Sequence, residues 1–317
     1  MKGIGVDIGG TNTKLAVMDP GGAVLHEDRF HTMPERGPAD FVRRLIAAVK
    51  KIRKEWKPAC VGIGVAGDVD PVKGVIRFSP NLDRWRGVPV AAPLKKALGL
   101  PCVIENDANM AAWGAYELEL KRKYANVVAV TLGTGIGSGI IINGGLYHGA
   151  AGAAGELGHN KLVRGGERCH CGGRGCMEAY CGSYAIMREA RKVIKNPERF
   201  IALYAAPGRE RLNTGCLTRA ADRGHRAALR LWREMGENLG RGLADMLLVL
   251  NPDCVVLTGG VSRASRHFLG SVKKVFAAQE MKTSFTGVKL VVAKNADLGV
   301  YGAALLGMET AAGKTGK

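Results

Sequence analysis

Residues 155–178 read GELGHNKLVRGGERCHCGGRGCME. Three cysteines, two histidines and three glutamates share this short glycine-rich stretch. Cys169, Cys171 and Cys176 are close enough in sequence to hold one metal ion, and His159 can supply a fourth ligand. His170 is an alternative, but lying between two cysteines it would more easily point outward. Thiolates with one imidazole in a tetrahedral set suit zinc, and a set filled by four protein ligands points to a structural ion rather than a catalytic one. The bland reading is three inert buried thiols. Against it stand the glycines and charged residues around the Cys-x-Cys-x4-Cys spacing. Glu156 and Glu178 flank the cluster as free carboxylates, so the stretch reads as a metal-pinned binding surface.

Three further motifs are rich in glycine. Asp7-Ile8-Gly9-Gly10-Thr11 lies between two apolar runs. Glycines there let backbone N–H groups approach an anion, Thr11 adds a hydroxyl, and Asp7 could hold magnesium through water. A plain hairpin turn has the same spelling. Residues 133–139, GTGIGSG, form a second such loop. The dinucleotide fingerprint is excluded by its spacing and by the strand that follows. Alternate glycines each cost backbone entropy, which favours phosphate contact over a simple turn. Thr258-Gly259-Gly260 closes a third apolar run. Glu105-Asn106-Asp107-Ala108-Asn109 ends a strand and opens a helix. Asn106 or Asp107 can serve there as the helix N-cap. Alternatively, Asp107 is a general base that takes a proton from a substrate hydroxyl.

Alternation and helical periodicity place these motifs. Strands are expected at 3–8, 13–18 and 23–30, joined by tight turns. A helix at 41–56 presents Phe41, Leu45, Ala48 and Ile52 on one face. A buried strand at 60–65, a helix at 90–98, a strand at 102–105 and a helix at 106–121 follow. The pattern restarts with strands at 127–132 and 139–142, then helices through residue 250. Strands at 255–257 and 288–292 come next, with a helix reaching residue 278 between them. A last helix spans 299–308, and 312–317 is a frayed tail. Two halves, each opening on a hairpin and a glycine turn, suggest a duplicated α/β unit facing a central cleft.

Composition narrows the class. The chain has 317 residues, 46% of them hydrophobic and 23% charged, enough for a large core and two domains. Glycine, at 45 residues, is about twice the usual share of roughly 7%, which suggests tight turns and backbone approach to a ligand. The net charge of +18 is compatible with nucleic-acid binding, yet only 6% of residues are aromatic and no basic run is interleaved with stacking residues. A basic surface with no nucleic-acid partner is the expectation, with attraction of anionic phosphoryl donors as a weaker use of the charge. Of eight cysteines, Cys60, Cys102, Cys181, Cys216 and Cys254 are scattered outside the cluster. With the first strand starting directly after Lys2 and no apolar run of ~18 residues, a reduced, cytoplasmic protein without a membrane span is expected.

Taken together the motifs resemble the ROK family (repressors, open reading frames and sugar kinases), within the actin-like and hexokinase-like ATPase superfamily. The resemblance covers essentially the whole chain. It rests on DIGGT at 7–11, SPNL at 79–82, ENDAN at 105–109, GTGIGSG at 133–139, GELGH at 155–159, CHCGGRGCME at 169–178 and LTGG at 257–260. It implies an α/β, ribonuclease H-like fold with two lobes around a central cleft. Residues 1–121 with 300–317 would form the small lobe, and 122–299 the large lobe with the zinc loop. It also implies a hexose kinase using MgATP, with Asp107 as base. Gly67, Asn81, Asn106, Asp107, Glu156, His159 and Glu178 would line the sugar site. Asp7, Gly9, Gly10, Thr11, Lys14, Gly133, Thr134, Gly135, Gly259 and Gly260 would serve the nucleotide, and His159, Cys169, Cys171 and Cys176 would bind zinc. Dimers or larger homo-oligomers are common in the family.

Asn81 followed by Trp85 looks like the glucokinase branch, so glucose is the expected hexose. Kinases of N-acetylglucosamine or N-acetylmannosamine share Glu156, His159, Glu178 and the zinc motif and remain open, as does polyphosphate as donor. Ala66-Gly67-Asp68 departs from a frequent Pro-Gly-Pro, and Ser138 replaces a frequent glycine. A sugar-sensing ROK repressor is disfavoured: those carry an N-terminal helix-turn-helix domain, whereas here the phosphate motif begins at Asp7.

Overall fold

The computed structural model describes residues 1–82 and 85–313. The tail expected to fray lies outside the described residues from 314 onward. The contacts divide the chain into two compact units. The first comprises Met1–Ala129, Gly139–Gly155 and Lys294–Lys317, and the second Val130–Ser138 and Glu156–Ala293.

The first unit opens with β1 (Gly3–Ile8), β2 (Asn12–Met18) and β3 (Val24–His31), then α1 (Pro38–Trp56) and β4 (Cys60–Val65). Next come three short strands, β5 (Asp68–Asp70), β6 (Val75–Phe78) and β7 (Arg86–Pro89), then α2 (Ala91–Leu98), β8 (Cys102–Asn106) and α3 (Asp107–Gly114). The main sheet has the order β3-β2-β1-β4-β8. β1 to β3 are antiparallel, while β1, β4 and β8 run parallel. Burial follows sequence: every residue of β4 is buried, so it reads as an unbroken apolar run, whereas β3 at the edge has no fully buried residue. Phe41, Leu45, Val49 and Ile52 of α1 are buried in the core against this sheet. The small antiparallel sheet β5-β6-β7 was not anticipated, because its strands are only three or four residues long and are bounded by Pro and Gly.

The last helix, α10 (Leu298–Ala311), also belongs to this unit, and it accounts for part of the glycine excess. A methyl group on Gly5 would lie 1.8 Å from the Val300 carbonyl oxygen, and one on Gly62 1.8 Å from that of Ala303. Gly302 meets the Met110 carbonyl of α3 in the same way. These glycines let a helix lie directly on strand and helix backbone. They serve packing, not the ligand approach that composition suggested.

The helix expected at 106–121 is shorter. After α3 the chain makes one wide turn, in which the N–H of Leu120 donates to the carbonyl of Ala115 (3.0 Å), and Lys121 and Arg122 take left-handed conformations with φ of 51° and 55°. Arg122 pairs there with Glu117 and Glu309.

Further along are β9 (Val127–Leu132), β10 (Ile136–Ile142) and β11 (Gly145–Leu146). Then come α4 (Glu178–Cys181), α5 (Ser183–Val193), α6 (Pro197–Tyr204), α7 (Thr214–Asp222), α8 (Arg226–Leu250), β12 (Cys254–Thr258), α9 (Ser265–Ala277) and β13 (Lys289–Val292). The second sheet has the order β11-β10-β9-β12-β13, with β12 and β13 parallel. β10 starts three residues earlier than expected, which shortens the glycine turn to 133–135. Among the described residues no helix is long and apolar enough to cross a membrane. All eight cysteines are free of disulfides.

Candidate active site

The first unit gathers one set of candidate residues at the carboxyl ends of its parallel strands. Ile8 of β1 lies opposite Val65 of β4, and Val65 opposite Asn106 of β8. The three strands therefore finish level, followed by Gly9-Gly10, Ala66-Gly67 and Asp107. Open α/β sheets bind ligands at this end.

Asp7 sits one residue before the end of β1. Burial holds its carboxyl above the ordinary range; Lys14, its partner across β2, pulls it down, and Asp297 pushes it up. Lys14 itself forms an ion pair with Asp297 at 2.5 Å. A carboxylate oxygen is the kind of donor a hard cation such as magnesium takes. The N–H of Gly9 closes the turn on the carbonyl of Asn12 (3.1 Å), and the hydroxyl of Thr32 donates to the carbonyl of Gly9 (2.6 Å). A methyl on Gly10 would approach the Asn81 carbonyl to 2.9 Å, so glycine there lets Asn81 pack onto the turn. Gly67 has φ 126° and no room for a side chain, since a methyl would lie 2.3 Å from the Phe78 carbonyl. Asn106 Nδ2 donates to the carbonyl of Gly67 (3.0 Å).

The sequence left two residues competing for the helix cap. Asn106 takes it, its Oδ1 accepting from the N–H groups of Ala108 (2.8 Å) and Asn109 (3.2 Å). Asp107 is the first residue of α3 and is half-buried, and its Oδ1 accepts from the Ala108 N–H (2.9 Å). A methyl on Gly299 would lie 4.0 Å from both Asp7 Oδ2 and the Asp107 carbonyl. The start of α10 therefore lies beside both aspartates.

The second unit gathers the other set. His159, Cys169, Cys171 and Cys176 each offer one ligand atom, all within 4.8 Å of one another. Cys171 and Cys176 have their Sγ atoms 3.7 Å apart, and Cys169 Sγ lies 3.7 Å from His159 Nδ1. Tetrahedral zinc, with bonds of ~2.3 Å to sulfur and ~2.0–2.1 Å to nitrogen, requires ligand separations of roughly 3.5–3.8 Å. The donor set fits that ion in type and spacing. Lys161 Nζ lies 2.9 Å from Cys176 Sγ and donates to it, which puts a cation beside the sulfur atoms. His170 stacks on Tyr184, with ring centroids 3.8 Å apart, and stands outside the set.

His159 uses both ring nitrogens: Nδ1 faces Cys169, and Nε2 lies 3.8 Å from Glu156 Oε2. Glu156 is exposed, as expected. Glu178 is not the free carboxylate expected beside it. It is 8% exposed, its Oε2 accepts the Ile136 N–H (3.0 Å), and its Oε1 lies 3.3 Å from Cys169 Sγ. Gly135 makes this possible, because a methyl there would fall 2.2 Å from Glu178 Oε2. The N–H of Gly133 donates to the Gly135 carbonyl (3.0 Å), while Thr134 is exposed. Gly259 packs against the Leu132 carbonyl, and Gly260 has open space around its Cα.

Four residues at these sites had no assigned role. Glu105, His148, Lys161 and Asp297 pair with residues well removed in sequence, and only Glu105 and Lys161 lay inside the stretches that the sequence marks out.

A match to the ROK family spans residues 3–310. The chain belongs to the ROK family. A glucokinase of Thermotoga maritima is 35% identical over 306 residues, 96% of each chain. A solved ROK family glucokinase from Streptomyces griseus, in complex with glucose and AMPPNP, is 33% identical with a TM-score of 0.82, covering 98% of this chain and 100% of its own. A xylose repressor of Caldicellulosiruptor bescii is 27% identical over 94% of this chain and 75% of its own length. The fold of this ROK protein is accordingly that of the actin-like and hexokinase-like ATPases.

Proposed function

We propose that this ROK protein transfers the γ-phosphoryl group of ATP to a hexose, glucose foremost, giving hexose 6-phosphate. The observation that carries the reading is the full-length likeness, at 33% identity, to a glucokinase that holds glucose and AMPPNP together. Asp107 is the general base. Its carboxylate takes the proton of the acceptor hydroxyl as that oxygen bonds to the γ-phosphorus and ADP departs. Asn106, tied to Gly67, holds the sugar on the same wall. In the second unit Glu156 and the Nε2 edge of His159 form the other sugar contact. Glu178 joins them, since each carboxylate oxygen can accept a further hydrogen bond beside those it already makes. The turns at Gly9-Gly10-Thr11, 133–135 and Gly259-Gly260 take the nucleotide, with Lys14 and Asp7 at the phosphates. Magnesium bound with ATP neutralises charge on the phosphates. His159, Cys169, Cys171 and Cys176 would hold zinc, which would make the loop rigid and supply no chemistry.

The test is coupled ADP release with glucose, mannose, N-acetylglucosamine, N-acetylmannosamine and fructose, repeated with polyphosphate in place of ATP. The highest kcat/KM is expected for glucose with ATP. Absence of turnover with every hexose overturns the kinase reading. Preference for an N-acetylhexosamine or for polyphosphate moves the assignment to that acceptor or donor. The family likeness also carries an expectation of a homodimer or larger homo-oligomer, which light scattering reads directly. Eight unpaired cysteines support a reducing, cytoplasmic setting.

A further inference from the structure

Glu105 is 2% exposed, on the strand that leads into α3. Burying a carboxylate is costly unless its oxygens are well paired. Here they are. Oε1 accepts the N–H of Asn106 (2.8 Å) and the side-chain amide of Asn109 (3.0 Å), and Oε2 lies 2.6 Å from His148 Nε2. Two of these donors belong to the capped first turn that carries Asp107. Asn109 is gripped twice, by its backbone N–H on Asn106 and by its side chain on Glu105. Asn106 reaches on to the carbonyl of Gly67. The third donor, His148, comes from the segment after β11 and stands with Glu105 on the wall of a cavity of ≈ 1250 Å³ within the first unit. The hydrogen bond to Glu105 raises the imidazole above its ordinary pKa, with burial opposing.

We propose that Glu105 and His148 are positioning residues for phosphoryl transfer: His148 fixes the Glu105 carboxylate, and that carboxylate sets Asn106 and the first turn of α3 so that Asp107 meets the acceptor hydroxyl. The proposal rests on the reading of Asp107 as the base. An amide at position 105 would turn an NH₂ group toward one of these partners, matched at His148 only by a neutral imidazole that accepts at Nε2, whereas a carboxylate accepts from all three donors at once. That explains why a carboxylate is buried here at all. A pair that merely pinned the 147–155 segment to the sheet edge would affect stability and leave turnover per folded molecule unchanged.

The experiment compares wild type with His148→Ala, His148→Asn and His148→Gln, reading kcat, KM for glucose and for ATP, and the thermal midpoint. His148→Ala and His148→Asn, whose side chains are too short to reach Glu105, are expected to lower kcat by roughly 10- to 100-fold, the order of loss that a small misplacement of a reacting group produces. KM for ATP is expected to stay within about twofold, because the nucleotide turns lie elsewhere. His148→Gln restores a donor of sufficient length and is expected to recover most of kcat. Full kcat in a folded His148→Ala or His148→Asn protein overturns the proposal, even where the midpoint falls. Failure of His148→Gln to exceed His148→Asn overturns it as well. Asp107→Asn, run alongside, keeps the two readings apart: activity retained there rejects the base assignment, whatever the His148 variants do.

Discussion

The starts of α3 and α4 solve one problem in two ways. Each has a buried glutamate that holds a functional backbone in place: Glu105 beside the Asn106 cap, Glu178 beneath the 133–135 turn. Both oxygens of Glu105 are paired with protein donors, namely a backbone N–H, an amide and an imidazole. Glu178 has one backbone N–H, and its other oxygen leans on Cys169, a member of the Cys/His set. The first arrangement is complete in the polypeptide. The second would draw its rigidity from the proposed zinc. The wall that carries the proposed base should therefore survive treatments that dismantle the proposed sugar-binding loop.

Asp107→Asn tests the first wall most severely. It is expected to lower kcat by about 10²–10⁴-fold while leaving the fold intact, since the amide oxygen of the new side chain could still accept the Ala108 N–H. Turnover near wild type would remove the base from this wall. The second wall is expected to fail when the proposed zinc is removed. Chelation, or Cys176→Ser, is expected to raise the glucose KM by on the order of 10-fold or more and to lower the thermal midpoint, with a smaller effect on kcat. Elemental analysis should find one zinc per chain before chelation; its absence from freshly purified protein would contradict this account. A kcat loss that exceeds the KM change would mean the two walls are not separable in this way.

The smallest expected effect is a pH slope. His148 has its pKa raised above 6.5 by the hydrogen bond to Glu105, with burial opposing. A group whose folded pKa is raised stabilises most below its unfolded value and loses that contribution as pH rises through the folded one. The thermal midpoint should therefore carry a component that declines on the alkaline side of about pH 6.5, and Glu105→Gln should flatten it. An unchanged slope in that variant would detach the histidine from the carboxylate. Because the imidazole is partly exposed, the slope should be shallow.

What could be read from the sequence follows from locality. The strands Gly3–Ile8, Cys60–Val65 and Val127–Leu132 matched residue for residue, because each is a largely buried run with a glycine turn soon after it. The Cys/His set was visible for the same reason, its ligands lying within one stretch. The Glu105–His148 pair spans 43 residues and the Lys14–Asp297 pair 283, distances across which no periodicity reports. Glu178 was misread as free because nothing local reveals that Gly135 makes space for its carboxylate. The wide turn at Ala115–Glu119 was missed because its residues favour an ordinary helix. Glycine was the most deceptive signal. At Gly67 it marks a strained turn, and at Gly5 and Gly62 it marks a helix lying on strands.

That last contact has a consequence for how the molecule is made. β1 precedes α10, whose backbone fills the groove over Gly5 and Gly62, by almost all of the described residues. The early strands must wait, with an apolar face uncovered, for nearly the whole chain to be synthesised. The second unit lies almost entirely in one continuous stretch, Glu156–Ala293, and is free of that wait. The second unit is therefore expected to complete its packing before the first, against the usual N-terminal-first order of vectorial folding.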